Sequence, residues 1–134
     1  MACLECEAPT ISFAVPAECR EYTPEAASGV EFCTRCLTLE PVDSSAGRSD
    51  DQVDFSRISD SFPAHPERAI PLALALGLCQ SLATNRSAIE SLLREVERAG
   101  TDPLLVMDRL GRDPSIEPAF DLERRTHQIE QLLY

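Results

Sequence analysis

Cys3-Leu4-Glu5-Cys6 and Cys33-Thr34-Arg35-Cys36 are the two stretches on which the reading of this chain turns. Each leaves two residues between its cysteines, and 26 residues separate the pairs. A two-residue gap lets a tight turn aim both sulfurs at one ion, and two such turns complete a tetrahedral thiolate set. The spacing therefore predicts a structural Zn2+ site with Cys3, Cys6, Cys33 and Cys36 as ligands. A rubredoxin-like iron site uses the same four residues. Against iron stands the lack of a glycine after each pair, where Glu7 and Leu37 occur instead. A dithiol redox pair is a third reading, but that motif belongs in a strand–helix–strand unit and leaves the second pair unexplained.

Between the pairs, Ile11, Phe13 and Val15 alternate with Thr10, Ser12 and Ala14, the period-two pattern of a half-buried strand that Pro16 ends. Ala17 to Tyr22 suits one helical turn, and Thr23 to Gly29 suits a loop. Val30 and Phe32 lead a second strand into Cys33; Leu37 and Leu39 predict a third. Strands feeding cysteine turns in this order make a zinc β-ribbon, predicted over residues 1–40. Below about 40 residues a chain needs metal or disulfides to fold. Cys19 and Cys79 fall outside the pattern and read as small buried side chains. Nucleophilic catalysis by either needs a histidine base, and the chain has only His65 and His127.

Working outward, residues 41–53 are polar, rich in Ser and Asp and without periodicity, as expected of a flexible acidic linker. Residues 54–134 predict a helical domain. Phe55, Ile58 and Phe62 recur at helical spacing and suit a short turn docked on the helices. Ala69 to Ala83 is Leu- and Ala-rich without polar alternation, which favours a buried central helix with Pro66 or Pro71 in its first turn. Asn85 is placed to cap a second helix with the stripe Ile89, Leu92, Leu93 and Val96, closed by Gly100. Asp102-Pro103 opens a third, with Leu104, Leu105, Met107 and Leu110 apolar. A turn over 113–118 leads to a fourth helix from about Ala119, burying Leu122, Ile129, Leu132 and Leu133. The fold class is thus α+β: a zinc ribbon followed by a bundle of about four helices.

The charge balance narrows the function. The chain carries 23 acidic and 12 basic residues for a net of −11, and every basic residue is arginine. Lysine is ordinarily common. Its absence beside excess carboxylate suits a cytosol of very high salt, where repulsion is screened and net charge maintains solubility. Residues 1–40 hold seven glutamates against Arg20 and Arg35, a net of −5 that disfavours direct nucleic-acid contact. The longest apolar run, Ala69 to Cys79, has 11 residues against the roughly 20 of a membrane span. The N-terminus lacks the basic and apolar regions of a secretory signal. These observations predict a cytoplasmic protein, in whose compartment cysteines bind metal more often than they form disulfides.

The helical part offers little chemistry. His127 stands near Glu123 and Glu130 on one helix, but di-metal bundles need such groups on facing helices. Arg124-Arg125 reads as surface. No phosphate-binding glycine loop and no nucleophile elbow occurs.

Cys3-Leu4-Glu5-Cys6, Phe13-Ala14-Val15-Pro16, Cys33-Thr34-Arg35-Cys36-Leu37-Thr38, Asp102-Pro103-Leu104-Leu105 and Asp121-Leu122-Glu123-Arg124-Arg125 together resemble an uncharacterised family of halophilic archaea. That family is a domain of unknown function with an N-terminal zinc-ribbon-like segment and a helical remainder. The resemblance covers nearly the whole chain and implies a fold and a lineage, but no activity. The expectation is a non-enzymatic, zinc-binding interaction or adaptor protein whose partner is another protein. A regulator associated with transcription or translation is the alternative, by fold analogy alone; a thiol-redox or metal-dependent enzyme is the third.

Overall fold

The computed structural model describes residues 3, 6–23, 28–42 and 53–133, with side chains to residue 132. It is an α+β structure with a three-stranded antiparallel sheet and four α-helices. Strands β1 (Thr10–Ala14), β2 (Gly29–Cys33) and β3 (Leu39–Val42) lie in sequence order. The register sets Ile11 opposite Phe32 and Phe32 opposite Leu39, and Phe13 opposite Val30 and Val30 opposite Pro41. Those rows form one apolar face, while Ser12, Glu31 and Glu40 form the other. Thr10 bonds Glu31 on that polar face. The predicted turn over 17–22 is a 3-10 helix, and Val15 is buried at the end of β1.

The third strand differs from the prediction. Leu37 is not part of it, and the strand runs on through Pro41 and Val42, which were expected to begin the linker. Pro41 is tolerated because β3 is an edge strand, where a missing N–H faces no partner. Residues 24–27 of the predicted loop and 43–52 of the predicted linker lie outside the described residues.

A second layer forms from residue 53. Asp54 caps a 3-10 turn, Phe55–Arg57, by accepting the Ser56 N–H. Phe55 meets Phe13 of the sheet edge-on at 5.4 Å between ring centres and lies beside Phe62 at 6.5 Å. Helix α1 (Pro66–Leu78) follows, buried from Ala69 through Leu76 as expected of a helix apolar all round. Pro66 takes its first position and Pro71 sits inside it. Gly77 lets α1 approach β3: a Cβ there would lie 2.7 Å from Leu39 Cβ.

The next boundary also differs. A 3-10 turn, Cys79–Ser81, carries the chain directly into α2 (Leu82–Arg98), because no glycine or proline interrupts it. Asn85 therefore lies within α2, and its amide donates to the Leu78 carbonyl at the end of α1. Gly100, at φ 100°, closes α2: its N–H bonds the Glu97 carbonyl and the Thr101 N–H bonds the Val96 carbonyl. Asp102 caps α3 (Pro103–Arg112) as expected, accepting from the N–H groups of Leu104 and Leu105. Here Val106 is buried, whereas Leu105 is 46% exposed. Helix α4 (Leu122–Leu133) starts later than Ala119, with Asp121 accepting the Arg124 N–H at 3.0 Å. Leu122 and Ile129 are buried and Leu132 packs against the core, while the Leu133 side chain lies outside the described part.

One apolar core runs through both layers, joining Ile11, Phe13, Val30 and Phe32 of the sheet to Phe55, Leu72, Leu76, Leu93 and Met107. It spans both the predicted ribbon and the predicted helical region, a point the sequence leaves open.

Candidate metal centre

The four cysteines come together at one end of the sheet. Their sulfurs all lie within 4.8 Å of one another. Cys3 Sγ is 3.6 Å from Cys36 Sγ, and Cys6 Sγ is 3.4 Å from Cys33 Sγ. A tetrahedral ion with metal–sulfur bonds of about 2.3 Å holds its sulfurs about 3.8 Å apart, so this donor set fits such an ion. All six cysteines are free thiols, and Cys19 and Cys79 are buried away from the cluster.

The backbone explains how both turns reach this arrangement. Cys3 donates its N–H to the Ala8 carbonyl at 2.9 Å, and Cys33 donates its own to the Thr38 carbonyl at 3.0 Å. Each turn thus closes over the same number of residues. Glu7 and Leu37, which follow Cys6 and Cys36, have φ of 62° and 60°. Both occupy the left-handed region that glycine enters freely and other residues enter at a cost. The missing glycines consequently do not separate zinc from iron, since the turns take the same shape without them.

Donors converge on the sulfurs. The N–H groups of Arg35 and Cys36 both point to Cys33 Sγ at 3.4 Å. The Thr38 hydroxyl, which the sequence reading passed over, lies 3.0 Å from Cys36 Sγ. The one available signal was its place, one residue beyond Leu37, matching Ala8 beyond Glu7. Burial pushes the Cys33 thiol up to about 12 and raises that of Cys36, so the bare cluster favours neutral thiols. A dication bound by Cys3, Cys6, Cys33 and Cys36 would reverse that preference, because a coordinating thiol gives up its proton.

The far end of the chain also reaches this site, a link that no sequence pattern announced. Glu117 donates its N–H to the Arg35 carbonyl at 2.8 Å, and Ala119 donates to the Cys36 carbonyl at 3.0 Å. Arg35 and Glu117 pair their side chains at 2.9 Å, both exposed, so solvent screens the pair and the backbone bonds are the main tie. Asp113, in the same loop, accepts from the hydroxyls of Ser59 at 2.7 Å and Ser115 at 2.6 Å. Those bonds, first the Ser115 hydroxyl and then that of Ser59, hold its carboxyl below its ordinary range. The loop between α3 and α4 is thereby tied to the second cysteine turn and to the turn after Phe55.

His127 is not part of any such cluster. It is exposed on α4, near Gln131 at 3.4 Å, with Glu123 and Glu130 also exposed. Among the described residues the four-cysteine group is the one metal-competent cluster, and no helix is long and apolar enough to cross a membrane.

Neither the curated proteins nor the solved structures give a match. The model of the family of unknown function DUF6276 matches residues 2–133, and the chain belongs to that family.

Proposed function

We propose that Cys3, Cys6, Cys33 and Cys36 hold a structural zinc ion, and that the protein is a non-enzymatic interaction protein of a high-salt cytosol. The observation that carries this reading is the completeness of the sulfur cluster. Four protein ligands saturate a tetrahedral ion and leave no position for a substrate or an activated water, unlike catalytic sites with three. The ion would supply no reaction. It would hold the two turns together, and through Arg35 and Cys36 it would fix the loop between α3 and α4. A rigid surface of this kind suits recognition of another protein, and the net charge of −11 argues against a nucleic-acid partner.

Elemental analysis of protein purified from its own high-salt host tests the first part: one zinc per chain is expected, and stoichiometric iron or no metal would contradict it. Crosslinking in cells tests the second. A reproducible protein partner is expected; a chain recovered alone, or crosslinked to nucleic acid, would contradict it.

A further inference from the structure

The two cysteine turns repeat each other until the residue after the left-handed position, where one carries the Ala8 methyl and the other the Thr38 hydroxyl. Thr38 is 8% exposed. Its Oγ1 lies 3.0 Å from Cys36 Sγ and 3.6 Å from Cys3 Sγ, so one hydroxyl reaches a sulfur from each turn. Thiolates only accept, so beside a loaded site this hydroxyl is the donor, and hydrogen bonds to a charged acceptor are the strong ones. Four thiolates around a dication leave a net of about −2, in a chain already at −11. Donors to sulfur therefore matter more here than in a neutral protein.

The remaining sulfurs are served unequally. Cys33 Sγ is met by two backbone N–H groups. Cys6 is the one half-exposed member of the cluster. It lines a shallow pocket of about 410 Å³ together with Arg35 and Arg57. A small chelator or thiol can approach that sulfur from solvent, whereas Cys3, Cys33 and Cys36 are buried.

We propose that Thr38 is a positioning residue of the metal centre: its hydroxyl holds the Cys3–Cys36 side closed and leaves Cys6 as the first sulfur to let go. The proposal rests on the four cysteines holding an ion. The test loads the full chain with Co2+ and follows loss of the thiolate-to-cobalt absorption after adding EDTA. Thr38→Val, which keeps the shape and removes the hydroxyl, is expected to lose cobalt about 10–100-fold faster than wild type. Its charge-transfer band is expected to shift, and Thr38→Ser to restore both band and rate. In wild-type protein, limiting iodoacetamide mapped by mass spectrometry is expected to modify Cys6 before Cys3, Cys33 or Cys36, an order that needs no variant to fold. Thr38→Val with the wild-type rate and band, or first modification at Cys3 or Cys36, would overturn the assignment. Wild-type protein that takes up no cobalt would instead overturn the reading of the site beneath it.

Discussion

Glu7 and Leu37 share a backbone conformation but not a surrounding, and the difference sets opposite expectations for the same substitution. Glu7 is exposed and Leu37 fully buried. A left-handed non-glycine residue costs about 1–2 kcal/mol, part of which glycine returns as entropy of the unfolded chain. Glu7→Gly is therefore expected to stabilise the protein by about 0.5–1 kcal/mol in denaturant unfolding. Leu37→Gly relieves the same strain but removes a core side chain worth about 2–5 kcal/mol, and is expected to destabilise. Cys79 provides a second residue-scale test. Burial pushes its thiol up to about 12, while in the unfolded chain it titrates near 9.0. The folded state keeps the proton that the unfolded state gives up, so this contribution is full below pH 9 and is lost as pH rises toward 12. With the four-cysteine site loaded, Cys79 is expected to contribute a fall in unfolding free energy of about 1.4 kcal/mol per pH unit over that window, with Cys19 and Tyr22, whose pKa values are also raised, adding in the same direction. Cys79→Ala is expected to flatten the slope; an equal slope in the variant would show that the thiol is not the cause.

At the scale of elements, α1 approaches β3 closely at Gly77. Gly77→Ala improves helix propensity by about 1 kcal/mol, yet its Cβ would meet Leu39 Cβ at 2.7 Å. A net loss of about 1–3 kcal/mol is expected in equilibrium unfolding. Leu39→Ala should not rescue it, because the clashing atom remains. Sequence legibility follows the same division between local and distant causes. Alternation along Ile11, Phe13 and Val15, the Asp102-Pro103 start and the grouping of the four cysteines were readable, since each shows in a short local pattern. Asn85 misled because its side chain serves the preceding helix, Leu78, and not its own. The start of α4 shifted because the Ala119 N–H is taken by Cys36, over eighty residues away in sequence. Pro41 concealed an edge strand, and Thr38 looked like an ordinary strand residue until its hydroxyl was seen against two sulfurs.

For the whole molecule, the sheet and the helices share one core, and the cysteine site sits where the two cysteine turns meet the loop between α3 and α4. The net charge of −11 acts on that assembly through self-repulsion. Screening shortens from about 10 Å at 0.1 M salt to about 3 Å at 1 M, so the unfolding midpoint is expected to rise over that range. A midpoint that fell with salt would contradict the high-salt reading. On the proposed reading, an ion held by Cys3, Cys6, Cys33 and Cys36 organises the front of the chain and the loop that closes on it. Amide hydrogen exchange, compared between metal-loaded and chelator-stripped protein, tests it most directly. On stripping, β1, β2, β3 and the amides of Glu117 and Ala119 are expected to lose protection together, while α2 keeps most of its own. Exchange that is unchanged across all of these segments would contradict it.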